Sequence, residues 1–281
     1  MTQVNRYSRP YARIRGAEPS VTTIIQAMLG KPGLPWAAAR ETAMYAVHHR
    51  REWMSLSPTS AVTRLARHYQ GVWDARAVIG TIVHQINLDW IDGRSVNVES
   101  RVLEMAQSLR AGRADLDDVV TEVLADCDAL AAFWQTWRPK DHLAEAVVRS
   151  PGEWVGQCDW IATLGDGSRA RIDLKTTGSA GDAIYADSWT LQLSAYEGAR
   201  EIVMYEGSPT APAEVATAPN PRCDRFFIIQ LRGTPEPRIY DIEVTQESVE
   251  HFRSLASAYR YLNDLKRPRR VSSTMEEGAK V

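Results

Sequence analysis

Between Arg169 and Lys175 charged and apolar residues alternate without a break. Arg169, Arg171, Asp173 and Lys175 fall on one face of an extended strand, and Ala170, Ile172 and Leu174 on the other. Two arginines, a carboxylate and an ammonium on one face are costly to bury unless something uses them. In the preceding apolar stretch Val155–Ile161, Asp159 is the one acid. Two carboxylates side by side with a lysine two residues on suit a hard divalent cation. Mg²⁺ favours oxygen ligands and keeps several waters. It polarises a phosphate and lowers the pKa of a bound water, while the lysine orients that water or stabilises developing charge. Without a cation the two carboxylates repel and one takes up a proton.

Whether the aspartates meet depends on register. A three-residue loop Gly165-Asp166-Gly167 pairs Leu164 with Ser168 and, counting back, sets Asp159 opposite Asp173. A two-residue turn would send them to opposite faces. The odd-length loop is expected.

Around this hairpin the pattern reads as α/β. Residues 20–92 are helical: TTIIQAML, then WAAARETAMYAVHHRREWM after Pro35, then a stretch opening at Ser57-Pro58, and a further helix capped by Asp74 and ended by Asp92-Gly93. Residues 115–137 form an acidic amphipathic helix closed by Pro139. HLAEAVVRS (142–150), EWVGQCDWIATL (153–164) and SRARIDLKTT (168–177) read as three strands, and WTLQLSAYEGAREIVMY (189–205) as a crossover helix. A Pro/Ala-rich loop (207–221), strands at 225–231 and 238–244, and a helix over 246–265 complete the outline. The expected organisation is an N-terminal helical region (1–140), a mixed-sheet core (141–265) and a basic polar tail (266–281), as one domain.

Composition limits the function classes. The 281 residues carry 33 Lys+Arg and 35 Asp+Glu, so 33 − 35 = −2, with 44% hydrophobic and 24% charged residues. Wholesale disorder is excluded, and a pI of about 6.3 speaks against a purely electrostatic nucleic-acid binder. The total averages acids at 115–128 with basic ends at Arg6–Arg15 and Lys266–Arg270. Cys127, Cys158 and Cys223 have no framework spacing and fit a reducing compartment. The N-terminus has no apolar core of a secretory signal, and no run approaches the roughly 20 residues that span a bilayer. The expected location is the cytoplasm, away from membranes. No G-x-x-x-x-G-K-[ST] is present, so ATP use is not expected.

Gly156-Gln157-Cys158-Asp159 followed by Ile172-Asp173-Leu174-Lys175-Thr176 resembles the core of the PD-(D/E)XK nuclease superfamily. Gly80-Thr81-Ile82-Val83-His84 resembles the G-x-x-x-H helix of RecB-type nuclease domains, and Gln192-Leu193-Ser194-Ala195-Tyr196 their Q-x-x-x-Y helix, in the same order. The resemblance covers roughly residues 20–200 as scattered motifs. It implies a restriction-endonuclease-like core with a mixed central sheet flanked by helices. It also implies that His84, Asp159, Asp173 and the Leu174 carbonyl ligate Mg²⁺ or Mn²⁺, and that Lys175 is the catalytic lysine. Glu145 matches a frequent family acid near the metal. Gln192 and Tyr196, i,i+4 on one helix face, would contact the DNA backbone or position Lys175, and Arg171 adds a basic strand face.

The Pro19–Thr23 segment, with Lys31 and Trp36 after it, resembles the opening of phage exonucleases. Ser20 and Thr22 would meet a phosphate at a helix start or serve as plain N-caps. Some relatives hold an iron–sulfur cluster on four cysteines; this chain has three, scattered, and no cluster is expected. Alone, His84 reads as a boundary histidine, His48, His49 and His68 as solvated surface, and Trp134 and Trp137 as core. The implied function is a metal-dependent DNA exonuclease of phage recombination, replication or repair, acting on linear or single-stranded ends. A recombinase or single-strand-binding protein is the implied partner. The alternatives are a structure-specific or sequence-specific endonuclease on the same fold and a non-catalytic DNA-binding or assembly protein, with a small-molecule enzyme more distant. Nothing in the sequence specifies a subunit interface.

Overall fold

Apolar residues on both faces of successive strands require helices on both sides of the sheet, and the chain is arranged that way. The structure is a computed structural model describing residues 18–30, 33–108, 116–177, 186–208 and 211–264. The elements in order are α1 (Val21–Leu29), α2 (Gly33–His48), α3 (Arg50–Trp53), α4 (Pro58–Ile91), α5 (Val98–Ser108), α6 (Leu116–Trp137), β1 (Lys140–Ser150), β2 (Trp154–Thr163) and β3 (Arg169–Thr176). Then follow α7 (Ala186–Gly198), β4 (Glu201–Ser208), β5 (Ala211–Pro219), β6 (Arg225–Leu231), β7 (Arg238–Asp241) and α8 (Gln246–Asp264). The expected mixed α/β class, with an N-terminal helical region, is what the chain adopts. The basic tail and the arginines of residues 6–15 lie outside the described residues, as does Lys31.

Seven strands form one sheet in the order β5-β4-β1-β2-β3-β6-β7, with β3 and β6 parallel and every other pair antiparallel. One face packs Ala170, Ile172 and Leu174 of β3 under Ile82, Ile86, Leu130 and Phe133 of α4 and α6. The other packs Ala146, Cys158 and Ile228 under Ile24, Leu193 and Phe252 of α1, α7 and α8. Trp134 stacks on Trp160 with ring centroids 5.0 Å apart, and Trp137 lies 4.9 Å from Phe227, so both expected core tryptophans pack against the sheet. No helix among the described residues is long and apolar enough to cross a membrane.

Three local expectations differ from the fold. Asp74 caps nothing: α4 runs unbroken for 34 residues from its Ser57 cap, about 51 Å at 1.5 Å per residue. The interior Gly71 costs only about 1 kcal/mol and does not stop a helix held by its neighbours. The crossover helix ends at Gly198, and 201–208 is a strand. Val147 and Val148 of β1 pair there with Val203 and Ile202, and tertiary pairing overrides the helical pattern of the segment. The Pro/Ala-rich stretch is the edge strand β5, where proline is tolerated because one side of the backbone needs no ladder partner.

Candidate metal centre

The β2–β3 hairpin has the odd-length loop. Leu164 N–H donates to Ser168 O at 2.8 Å, and the ladder then runs Thr163↔Arg169 to Trp160↔Ile172. One further step would set Asp159 across from Asp173, but the ladder stops. From there β2 stays with β1 and β3 with β6, so the sheet forks. Asp159 Oδ2 accepts the Leu174 N–H at 2.8 Å, filling the place of the missing strand partner.

A second irregularity aims the acids. Ala144 and Trp160 belong to the α4-side core, whereas Ala146 and Cys158, two residues away, belong to the opposite core. Regular alternation would put each pair on one face, so both strands skip a step at Glu145 and Asp159. Glu145 takes φ +50°, left-handed backbone that a non-glycine residue adopts at a cost. Gln157 donates to Glu145 Oε2 and holds it.

α4 carries the third member. Ile79, Ile82, Val83 and Ile86 anchor the helix in the core, which leaves His84 at the margin with its side chain 29% exposed. One turn earlier, a Cβ on Gly80 would lie 2.8 Å from Thr176 Oγ1, so glycine lets α4 close against the end of β3. His84 Nε2 stands 3.8 Å from Asp159 Oδ2 and Nδ1 3.9 Å from Glu145 Oε1. Among the described residues, His84, Glu145 and Asp159 form a group with one ligand atom each, all within 4.8 Å.

Asp173 approaches the fork from the α7 side. Its Oδ1 accepts from Gln192 Nε2 at 2.9 Å, and its Oδ2 faces Lys175 Nζ at 2.5 Å. Gln192 also donates to the Tyr196 hydroxyl at 2.8 Å, and Tyr196 fits over Gly156, where a Cβ would meet its ring at 2.6 Å. Both side chains are buried, so Gln192 and Tyr196 set Asp173, and Asp173 sets Lys175. The Leu174 N–H reaches Asp159.

Burial alone would lower the His84 pKa, but Asp159, Glu145 and Asp173 outweigh it and raise the imidazole to about 9. Burial raises Asp159 and carries Asp173 to about 6, against the pull of the Lys175 ammonium. Lys175 is raised above its ordinary value because Asp173 and Asp159 overcome its burial.

Two expected DNA contacts are corrected. Arg171 is completely buried, with its guanidinium donating to Glu197, Asn220 and the Pro221 carbonyl. At Arg171 the strand face expected to be basic is covered by α7, although Arg169 on the same face is exposed, and burial of a charge forces such pairing. Ser20 is likewise buried as the N-cap of α1, accepting the Thr23 N–H at 3.0 Å. Thr22 is exposed. The cysteines are free, and Cys158 faces the core opposite the α4 side. Gln157 is the site residue that motif reading missed, and its only sequence signal was a polar residue two before Asp159 in an apolar strand.

No family model matches the chain, and no curated protein matches it. Among solved structures, one described as "Crystal structure of SSO0001" is similar at 12% identity, covering 58% of this chain and 70% of that one with a TM-score of 0.29.

Proposed function

We propose that the chain is a divalent-metal-dependent deoxyribonuclease, an exonuclease on linear DNA serving phage recombination, replication or repair. The observation that carries this reading is one imidazole and two carboxylates converging within 4.8 Å beside the Asp173–Lys175 ion pair. The donors fit the group: separations of 3.8 and 3.9 Å lie below twice the roughly 2.1 Å bond of Mg²⁺, and a mixed imidazole–carboxylate set also suits Mn²⁺. A bound ion would supply a polarised phosphate and a water acidic enough to attack it.

The protein's part is positional and electrostatic. His84, Glu145 and Asp159 hold the ion, with Gln157 fixing Glu145 and the Leu174 N–H fixing Asp159. The Lys175 ammonium donates to the phosphate oxygen on which charge develops or to the attacking water. Asp173, oriented by Gln192, keeps that ammonium charged and aimed.

End-labelled single- and double-stranded DNA incubated with Mg²⁺ or Mn²⁺ tests the reading. Nucleotides should be released from linear DNA, covalently closed circles should survive, and Asp159→Ala should lower the rate at least ~10³-fold, the scale of losing a charge-stabilising group. Circle opening would make it an endonuclease, and no hydrolysis by the wild type would overturn nuclease activity altogether.

A further inference from the structure

One side of α2 rests on α4 and the other is open. At 3.6 residues per turn, Ala38, Glu41, Thr42 and Tyr45 share the side that meets α4, and all four are half-buried. Tyr45 stacks on His68 of α4 at 3.9 Å and its hydroxyl accepts from Arg64 Nε at 3.3 Å, while the Glu41 charge acts on the same His68. Trp36, Arg40, Ala43, Met44 and Val47 fall within about 100° of one another on the opposite side. All five are exposed, Trp36 by 67% and Val47 by 73%. From Trp36 to Val47 the row is about 17 Å long at 1.5 Å per residue. Apolar side chains exposed singly are ordinary. A row of them on a helix whose other side already packs marks a contact surface.

The charges around the row say what meets it. The Arg40 guanidinium lies over the Trp36 ring at 5.7 Å, and Arg50 and Arg51 stand exposed just beyond Val47. Among the described residues no ion pair engages any of the three. Glu52, the next acid along the chain, is already held by the Tyr45 hydroxyl at 2.9 Å, His49 at 2.8 Å and Arg64 at 2.7 Å. The open side is therefore an apolar row bordered by cations. A second copy would set cation against cation whichever way two such faces were turned, which disfavours self-pairing. Nucleic acid would meet the guanidiniums but press Met44 and Val47 against a polar, charged surface. An acidic helix with an apolar row of its own satisfies both halves of the face.

We propose that the open side of α2 is the docking surface for an acidic amphipathic helix of a partner protein, packed alongside it for about three turns. The partner's apolar row buries Trp36, Met44 and Val47, and its flanking carboxylates meet Arg40, Arg50 and Arg51. His68, on which α2 stacks, lies about 24 Å along the unbroken α4 from His84 at 1.5 Å per residue. Docking is thus separate from the candidate metal centre and goes beyond the nuclease reading without resting on it.

Anisotropy of a labelled synthetic peptide, titrated with the full chain, tests the surface. The probe carries leucine at i, i+3, i+4 and i+7 and glutamate elsewhere, so that it is apolar on one side. One counterpart has lysine for every glutamate, another serine for every leucine. The glutamate–leucine peptide should bind, more weakly as salt is raised, and each counterpart should bind at least ~10-fold more weakly. Met44→Glu and Val47→Glu should each weaken binding about tenfold or more. Arg50→Glu combined with Arg51→Glu should weaken it about tenfold and flatten its salt dependence. Val62→Glu changes a comparably exposed valine on the side of α4 away from Tyr45 and should bind as wild type. Unfolding midpoints check that each variant keeps its fold. No binding of the glutamate–leucine peptide, equal binding of its lysine counterpart, or wild-type binding in both Met44→Glu and Val47→Glu overturns the proposal. Self-association, oligo-dT binding or anionic-vesicle binding that Val47→Glu abolishes also overturns it, because the face then belongs to a second copy, a nucleic acid or a lipid surface.

Discussion

Strand β3 carries two cations four residues apart, each paired with a carboxylate, and they do opposite work. Arg171 is sealed under α7, its Nη2 donating to Glu197 at 3.1 Å and to Asn220 and Pro221, while its buried Nε and Nη1 find no hydrogen-bond partner. Lys175 sits at the fork with Asp173 at 2.5 Å, its side chain 28% exposed, within the field of Asp159. Both are ion pairs on one strand, so pairing alone does not mark a functional site. The fork has a surplus of acid and a route to solvent. The Arg171 pair has neither, and its cost of burial is offset only in part, by the three bonds of Nη2.

Exchanging each cation for methionine should break or sharpen that comparison. Lys175→Met should cut metal-dependent hydrolysis by 10²–10³, the scale of removing one charge-stabilising donor, with a smaller loss of stability than at the other site. Arg171→Met should instead lower unfolding stability by about 3 kcal/mol, because it breaks a buried pair and leaves Glu197 only the exposed Arg222 at 3.4 Å, while the protein that remains folded keeps its turnover. Urea melts and activity per folded molecule separate the two. A catalytic loss at Arg171 as large as at Lys175 would erase the distinction.

Proton linkage gives the next effect. A ligating His84 must be neutral, and its imidazole is raised to about 9 without a cation. Mn²⁺ binding therefore expels a proton, and affinity should rise about tenfold per pH unit up to about pH 9. Calorimetric titrations at pH 6.5, 7.5 and 8.5 read this directly, and a flat profile would remove His84 from the ligand set.

Asp126 is a third kind of buried charge. It is fully buried, its Oδ1 accepts the Gly233 N–H at 2.7 Å, and burial raises it to about 6. A folded pKa above the ordinary 3.8 means the native state prefers the protonated form. That contribution is whole below about pH 4 and is lost as pH rises through about 6. Asp126→Asn should gain about 2 kcal/mol at pH 7.5 and nothing at pH 4, and an equal effect at both would refute it. The smallest effect concerns backbone. With Glu145 at φ +50°, Glu145→Gly should be about 1 kcal/mol more stable than Glu145→Ala, since only alanine pays for the left-handed conformation.

Much of this was legible in the sequence because it is local. The Gly165-Asp166-Gly167 loop settled the hairpin register, the alternation of 169–175 settled a strand, and the apolar rhythm of 79–86 settled which side of α4 packs. Periodicity failed where distant partners decide. Residues 201–219 look like the end of a helix and a loop, but β1 offers 201–203 a ladder, and 211–219 then close the hairpin. Arg171 looks like an exposed basic residue until α7 covers it.

By itself, then, the sequence determined the identity and order of the groups that can do chemistry: His84, Glu145, Asp159, Asp173 and Lys175, on elements whose local patterns specify helix or strand. Only the tertiary structure decided which of them converge. The fork between β2 and β3 and the skipped steps at Glu145 and Asp159 gather three donors on the α4 side. They leave Asp173 to Gln192 and Lys175. The reason is physical. A residue's face follows from its neighbours two and four positions away, but a break in that alternation is held in place by partners from strands and helices tens of residues distant.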